Sequence, residues 1–182
     1  LIAITHMSNV LGCVVDVKKI CTVARNKKIV TLIDGSQSVV HMPIDVTDLC
    51  CDFFVFTGHK LYGPSASGAI YINQNRFDEM EPFQGGGSMI NFVSKEHITY
   101  NKAPHKFEAG TPAIIPIIGL GAAIDFVSSI GQDNIMEYEN NLVNYAKDCL
   151  YNLDFLNFQG TSKDKGGIFS FTMKENKLHP HD

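Results

Sequence analysis

The 182-residue chain has no excess of basic charge: 15 lysines and arginines stand against 19 aspartates and glutamates, for a formal net charge of −4. That balance lacks the cationic footprint of a nucleic-acid binder, so nucleic acid is not an expected partner. No apolar run approaches the ~20 residues that cross a bilayer as a helix, so a membrane is not expected either. Low-complexity tracts and internal repeats are also missing. With 45% hydrophobic and 19% charged residues, the composition is that of an ordinary soluble globular protein with one substantial core.

The five cysteines contain no Cys-x-x-Cys pair, are odd in number, and include the adjacent Cys50 and Cys51. They outline neither a disulfide framework nor a zinc site. Cys13, Cys21, Cys50, Cys51 and Cys149 are expected as small apolar core or helix-face residues, with free thiols and a cytoplasmic location. His6, His41, His97 and His105 show no metal-ligand spacing, and His179 and His181 have no third ligand, so no metal is expected. Neither an initiator methionine nor a signal peptide precedes Leu1, which opens an apolar run. At the other end Leu178-His-Pro-His-Asp182 places a proline and a helix-cap aspartate. The chain is therefore expected to be the central part of a longer polypeptide.

What the chain does contain is a regular alternation of short apolar runs and helical patterns. Residues 1–5 read as a strand, 15–24 as a helix and 29–33 as a strand, the order of a βαβ unit with parallel strands. Residues 53–56 add a third strand, apolar throughout as expected of one covered on both faces. Residues 68–72 follow too closely for a helical crossover and read as an antiparallel neighbour. Gly85-Gly-Gly-Ser88 is a flexible loop, and residues 91–107 are polar and weakly patterned. A helix is expected from Pro112 to about Ile130, stopped by Gly131, and a second one capped by Asp133 and reaching Leu153. Strands at 155–158 and 167–173 open a second, smaller α/β unit. The expected division is residues 1–140 for a large domain and 141–182 for the start of a small one.

Lys60 lies at the end of the apolar run Asp52-Phe-Phe-Val-Phe-Thr-Gly-His-Lys60, and Asp34 at the end of Thr31-Leu-Ile-Asp34. Open α/β sheets bind ligands at the carboxyl ends of their strands, where Asp34, Gln37, Thr57, His59 and Lys60 converge. A Schiff-base lysine with a carboxylate for a pyridinium nitrogen is the pair that pyridoxal 5′-phosphate (PLP) requires. Desolvation and a cationic neighbour would free the Lys60 amine as a nucleophile. Taken singly, each residue has a plainer role: a solvated lysine at a sheet edge, a turn aspartate, a turn glutamine, a structural histidine. Thr57 and His59 offer short donors for a phosphate ester, and His59 equally suits a proton relay. Gln37 can donate to the cofactor phenolate oxygen.

Five motifs in register carry a resemblance over essentially the whole chain: Thr5-His-Met-Ser-Asn-Val-Leu-Gly12, Asp34-Gly-Ser-Gln37, Thr57-Gly-His-Lys60-Leu-Tyr-Gly-Pro64, Gly85-Gly-Gly-Ser-Met-Ile90 and Phe107-Glu-Ala-Gly-Thr-Pro112. Together they resemble the Suf-type, group II cysteine desulfurases, within the class V aminotransferase-like PLP enzymes of fold type I. The resemblance implies an α/β fold with a mixed, mostly parallel sheet between helices, and a homodimer with its sites at the interface. Lys60 would carry PLP, Asp34 would pair with the pyridine nitrogen, Gln37 with the phenolate oxygen, and Thr57 and His59 with the phosphate. Asn9 would lie beside the ring, Ser36 against one of its faces, and Thr111 at the phosphate of the other subunit.

Enzymes of that family act on L-cysteine: the lysine moves the α-proton, and a loop cysteine takes the sulfur as a persulfide, releasing L-alanine. The persulfide passes to a sulfur-acceptor protein of the Suf system for iron–sulfur cluster assembly. The family's nucleophilic cysteine and substrate-carboxylate arginine belong beyond Asp182, and none of the five cysteines present occupies the nucleophile's motif. The segment alone is thus expected not to desulfurate cysteine. Lys106 stands where the pattern has arginine and cannot reproduce a bidentate contact; Thr57 stands where serine is also usual. The same residues would serve a selenocysteine lyase or a kynureninase, and a non-catalytic module that kept the fold is the reading from a different class.

Overall fold

The computed structural model describes residues 1–160 and 162–175; the His179–His181 pair and the Asp182 cap lie outside the described residues. Strand β1 (Ile2–Thr5) leads into helix α1 (Val17–Asn26), whose cap Asp16 accepts from the Lys19 N–H. The helix buries Val17, Cys21 and Ala24, spaced four and three residues apart so that they share one face. That face packs with Ile33, Leu49, Cys51 and Phe54 into the main core, where each side chain removed from water contributes about 1.5–3 kcal/mol if large and apolar. Burial pushes the Cys51 thiol up to about 11, and raises Cys21 as well. Both are packing residues, protonated at neutral pH.

Strand β2 (Thr31–Asp34) lies parallel to β1, and β3 (Phe53–Thr57) parallel to β2. Strand β4 (Gly68–Ile72) closes the sheet antiparallel to β3, giving the order β1-β2-β3-β4. The mixed, mostly parallel sheet is the one the sequence implies. Between β2 and β3 run two single-turn helices, α2 (Ser38–His41) and α3 (Val46–Leu49), too short to leave a periodic signature.

Asp52 ties the amino edge of this sheet together. Its carboxylate accepts from the Thr31 N–H (2.8 Å) and hydroxyl (3.1 Å) and from Arg76 Nε (2.8 Å). Burial pushes this carboxyl up, but the Thr31 and Arg76 hydrogen bonds outweigh it and hold the group below its ordinary value. A depressed folded pKa contributes stability that is full above the unfolded value of about 3.9 and disappears as pH falls through the folded one. Asp52→Ala is expected to lose about 1–3 kcal/mol at pH 7, since Thr31 and Arg76 donors are left unmet. Urea denaturation at pH 7 and pH 3 measures this; the gap between the two proteins should narrow at the lower pH.

A hairpin, β5 (Ile90–Val93) with β6 (Ile98–Tyr100), forms in the stretch that reads as polar and weakly patterned. Nearly all its residues are exposed, so it lacks the inward–outward alternation by which strands are recognised. Helix α4 (Ile114–Ile130) starts two residues later than expected and stops at Gly131, φ 88°. A Cβ at Gly119 would lie 2.5 Å from Pro64, so α4 sits directly on the loop that follows Lys60. Helix α5 (Gln132–Leu150) has Gly131, not Asp133, at its cap position; Asp133 lies in the first turn, where its charge still opposes the helix dipole.

Strands β7 (Leu156–Gln159) and β8 (Ser170–Met173) pair as a separate antiparallel sheet. It is joined to the turn after β1 by Val14 N to Asp164 O (3.1 Å) and Gly166 N to Gly12 O (2.9 Å). Among the described residues no single helix is long and apolar enough to cross a membrane; α4 and α5 meet at a 72° bend.

Candidate functional site

The three parallel strands end on one edge of the sheet, opposite Asp52. Asp34 is the last residue of β2 and pairs in register with Val55 of β3. The Gly35 N–H donates to Val55 O at 2.8 Å and the His6 N–H to Asp34 O at 2.9 Å, so β1 and β2 end level with Val55 while β3 runs on to Thr57. Asp34 keeps its carboxylate exposed, with Oδ1 accepting the Ser36 N–H at 2.9 Å. Ser36 and Gln37, half-buried, turn the chain into α2.

On the neighbouring strand Thr57 ends β3, and Gly58–Lys60 form one 3₁₀ turn. Thr57 Oγ1 and His59 Nδ1 are hydrogen-bonded at 2.7 Å. Lys60 is half-buried and makes no hydrogen bond or ion pair to a described residue. Its position is fixed by the backbone: Gly58 N to Ser67 O (2.8 Å), Leu61 N and Gly63 N to Gly58 O (both 2.9 Å) close the following loop on itself. Tyr62 and Ala66 in that loop take φ values of 59° and 61°, an arrangement uncommon outside glycine that persists only where surrounding contacts enforce it.

Gly58 is required by that closure, since a Cβ there would lie 2.1 Å from Ser67 Oγ and 3.1 Å from Leu120 Cδ1. Gly58→Ala is expected to cost about 1–3 kcal/mol by overpacking and to displace Lys60. Urea denaturation reads the first effect and trapping of a carbonyl compound at Lys60 the second.

Six of the eight residues singled out from the sequence, Asp34, Ser36, Gln37, Thr57, His59 and Lys60, thus lie at the ends of adjacent strands. Asn9 lies one strand further, exposed in the turn after β1, which Ser8 Oγ shapes by accepting the Leu11 N–H at 3.0 Å. Thr111 stands apart: it is exposed, precedes α4, and hydrogen-bonds to none of the others. Beside it the Gly110 N–H donates to Gly87 O of the glycine loop at 2.9 Å. Lys106 is engaged within the chain, donating to Phe77 O at 2.9 Å and lying 5.1 Å from the Phe107 ring centre.

The sequence pattern did not single out two neighbours. His41 joins Gln37 to Glu139, with ring contacts of 3.1 Å and 2.8 Å; Glu139 is distant in sequence, and no local spacing could have paired it. His6 is 5% exposed, its Nδ1 is buried without a hydrogen-bond partner among the described residues, and burial lowers its pKa. Among the described residues no group of three or more His, Cys, Asp and Glu is placed to hold a metal ion.

The carboxyl edge of this open α/β sheet, the edge at which such sheets bind ligands, thus carries a carboxylate, a carboxamide and an amine without a partner among the described residues. The class V aminotransferase family matches residues 1–182, and the chain belongs to it. A cysteine desulfurase of Shigella sonnei is 47% identical over 100% of the chain and 44% of its own length. The crystal structure of the cysteine desulfurase CsdA from Escherichia coli superposes with a TM-score of 0.91 at 34% identity, over 99% of this chain and 44% of that one. A C-DES mutant with glycine covalently linked to its PLP cofactor superposes with a TM-score of 0.85 at 26% identity, over 96% and 47%. The chain therefore spans less than half the length of these relatives.

Proposed function

We propose that this chain is the cofactor-binding core of a PLP-dependent cysteine desulfurase, acting on L-cysteine. The observation that carries the reading is Lys60: a half-buried amine without a partner among the described residues, one strand away from the Asp34 carboxylate. The donor set fits PLP, offering an amine for its aldehyde, a carboxylate for its ring nitrogen, a carboxamide for its phenolate oxygen, and a hydroxyl and imidazole for its phosphate. Bound there, PLP supplies the electron sink for chemistry at the α-carbon of an amino acid.

Lys60 would hold the cofactor and is the amine that would move the α-proton. Asp34 would keep the ring nitrogen protonated, since an ionised carboxylate can only accept. Thr57 and His59, held together by their own hydrogen bond, would hold the phosphate end, and His59 also suits a proton relay. Ser36 would support one face of the ring and Asn9 would lie beside it. Thr111, exposed and without a hydrogen bond to the other candidate site residues, suits a residue that serves the partner subunit of a homodimer, and the exposed Ile114, Ile115 and Ile118 give α4 an apolar face for such a partner.

None of the five cysteines occupies the nucleophile's motif, so the reading assigns the nucleophilic cysteine to none of them. Cys21 and Cys51 are buried with raised thiol pKa values, the opposite of what an attacking thiolate needs. The finer reading is the Suf-type branch, delivering persulfide sulfur to a Suf acceptor protein for iron–sulfur clusters in the cytoplasm. Its support is the set of five motifs in register and the free state of all five cysteines. The domain division at residues 140–141 is proposed on the separateness of the two sheets, with α5 running across it.

The test is the full-length polypeptide with PLP and L-cysteine. A visible band lost on borohydride reduction, with the label on the Lys60 peptide and release of L-alanine, is the expected result. PLP labelling with no alanine from L-cysteine would transfer the chain to another PLP lyase.

A further inference from the structure

We infer that His41 and Glu139 are positioning residues for Gln37, forming a carboxylate–imidazole–carboxamide chain that orients the Gln37 amide at the cofactor pocket; the inference rests on the PLP reading above. Gln37 caps α2, and His41 ends that helix four residues later, which places the two side chains on one face. Gln37 Nε2 lies 3.1 Å from His41 Nε2. His41 Nδ1 lies 2.8 Å from Glu139 Oε2 and 3.0 Å from Oε1. An ionised carboxylate can only accept, so the proton is on Nδ1. The neutral ring then offers Nε2 as an acceptor, and only the amino side of the Gln37 amide can donate to it. A doubly protonated ring would instead demand the amide oxygen. The amide's orientation is thus set from α5, through a His41–Glu139 contact that spans 98 residues of sequence.

The environment strengthens this coupling. The side chains of His41 and Glu139 are 22% and 27% exposed on the wall of a cleft of about 380 Å³ that Met136, Asn140 and Val143 also line. Restricted water favours a defined hydrogen-bond chain over exchange with solvent. The other charged groups on that cleft are Asp16, Asp164 and Lys165. Independently, Gln132 Nε2 donates to Val39 O at 3.0 Å and pins the start of α5 to α2. A pair that merely joined two helices would need one nitrogen of the ring; here the second is bonded to the residue assigned to the cofactor's phenolate oxygen.

The experiment uses the full-length polypeptide and PLP itself, reading the visible absorption maximum, the dissociation constant for PLP by dialysis, and the melting temperature of the PLP-free form. His41→Phe and Glu139→Leu are each expected to shift the visible band and weaken PLP binding about tenfold, the scale at which supporting hydrogen bonds act on a bound group. Glu139→Gln, whose Oε1 still accepts from Nδ1–H, is expected to restore both. In a Gln37→Ala background, His41→Phe should add nothing further, because the two act as one unit. If His41→Phe fails to fold, Glu139→Leu carries the same test from α5. A lowered melting temperature with unchanged band and affinity would overturn the inference, as would full additivity with Gln37→Ala. PLP uptake with insensitive variants removes this inference alone; no PLP uptake by the unmodified protein removes the cofactor reading and the inference with it.

Discussion

Replacing Lys60 by alanine is expected to abolish borohydride-fixed labelling by PLP completely, while leaving folding intact. The side chain is half-buried and makes no hydrogen bond to a described residue, so its removal leaves no orphaned donor or acceptor. The 3₁₀ turn that carries it is held by backbone bonds to Gly58, which alanine preserves. Stability should therefore change by less than about 0.5 kcal/mol, as for an ordinary surface substitution. Glycine is covalently linked to PLP in the C-DES mutant, so the protein is to be freed of amino acids before reduction. Peptide mass mapping checks the outcome. A reduced adduct persisting in Lys60→Ala would assign the chemistry to another amine and sink the lysine's role.

The second large effect is expected from Asp34→Asn. The Asp34 carboxylate accepts the Ser36 N–H at 2.9 Å, and an asparagine Oδ1 can do the same, so the turn into α2 survives the exchange. Only the charge is lost. A neutral carboxamide cannot hold a proton on the pyridine nitrogen, and the electron sink weakens when charge develops at the substrate carbon. Removing one such electrostatic partner lowers kcat by about 10²–10³-fold. The full-length polypeptide turning over L-cysteine is the measurement, with urea denaturation as the control for folding. A kcat within a few-fold of the unmodified enzyme would exclude Asp34 from contact with the ring nitrogen.

Different parts of the structure were legible in the sequence to different degrees, for identifiable reasons. The β1–α1–β2 unit was readable because Val17, Cys21 and Ala24 are buried on one face of α1 and the strands are nearly continuous apolar runs. The antiparallel sense of β4 followed from the short connection after Lys60. The hairpin of β5 and β6 was not readable, since both its faces meet solvent and hydrophobic patterning carries no information without burial. The cap of α5 was misplaced at Asp133 because a capping pattern is equally satisfied by a glycine with φ 88° two residues earlier.

The sequence by itself determined the family, the mixed and mostly parallel sheet, and the identity of the residues gathered at its strand ends. Each of those is written in local order, in runs of a few residues whose spacing and chemistry belong to one strand end or turn. The tertiary structure alone decided that Asp52 staples the opposite edge through Thr31 and Arg76. It alone decided that α4 seats Gly119 against Pro64, and that Glu139 reaches through His41 to Gln37. These contacts join positions tens of residues apart, and the folded packing of helix on sheet, rather than any local pattern, selects which side chains meet.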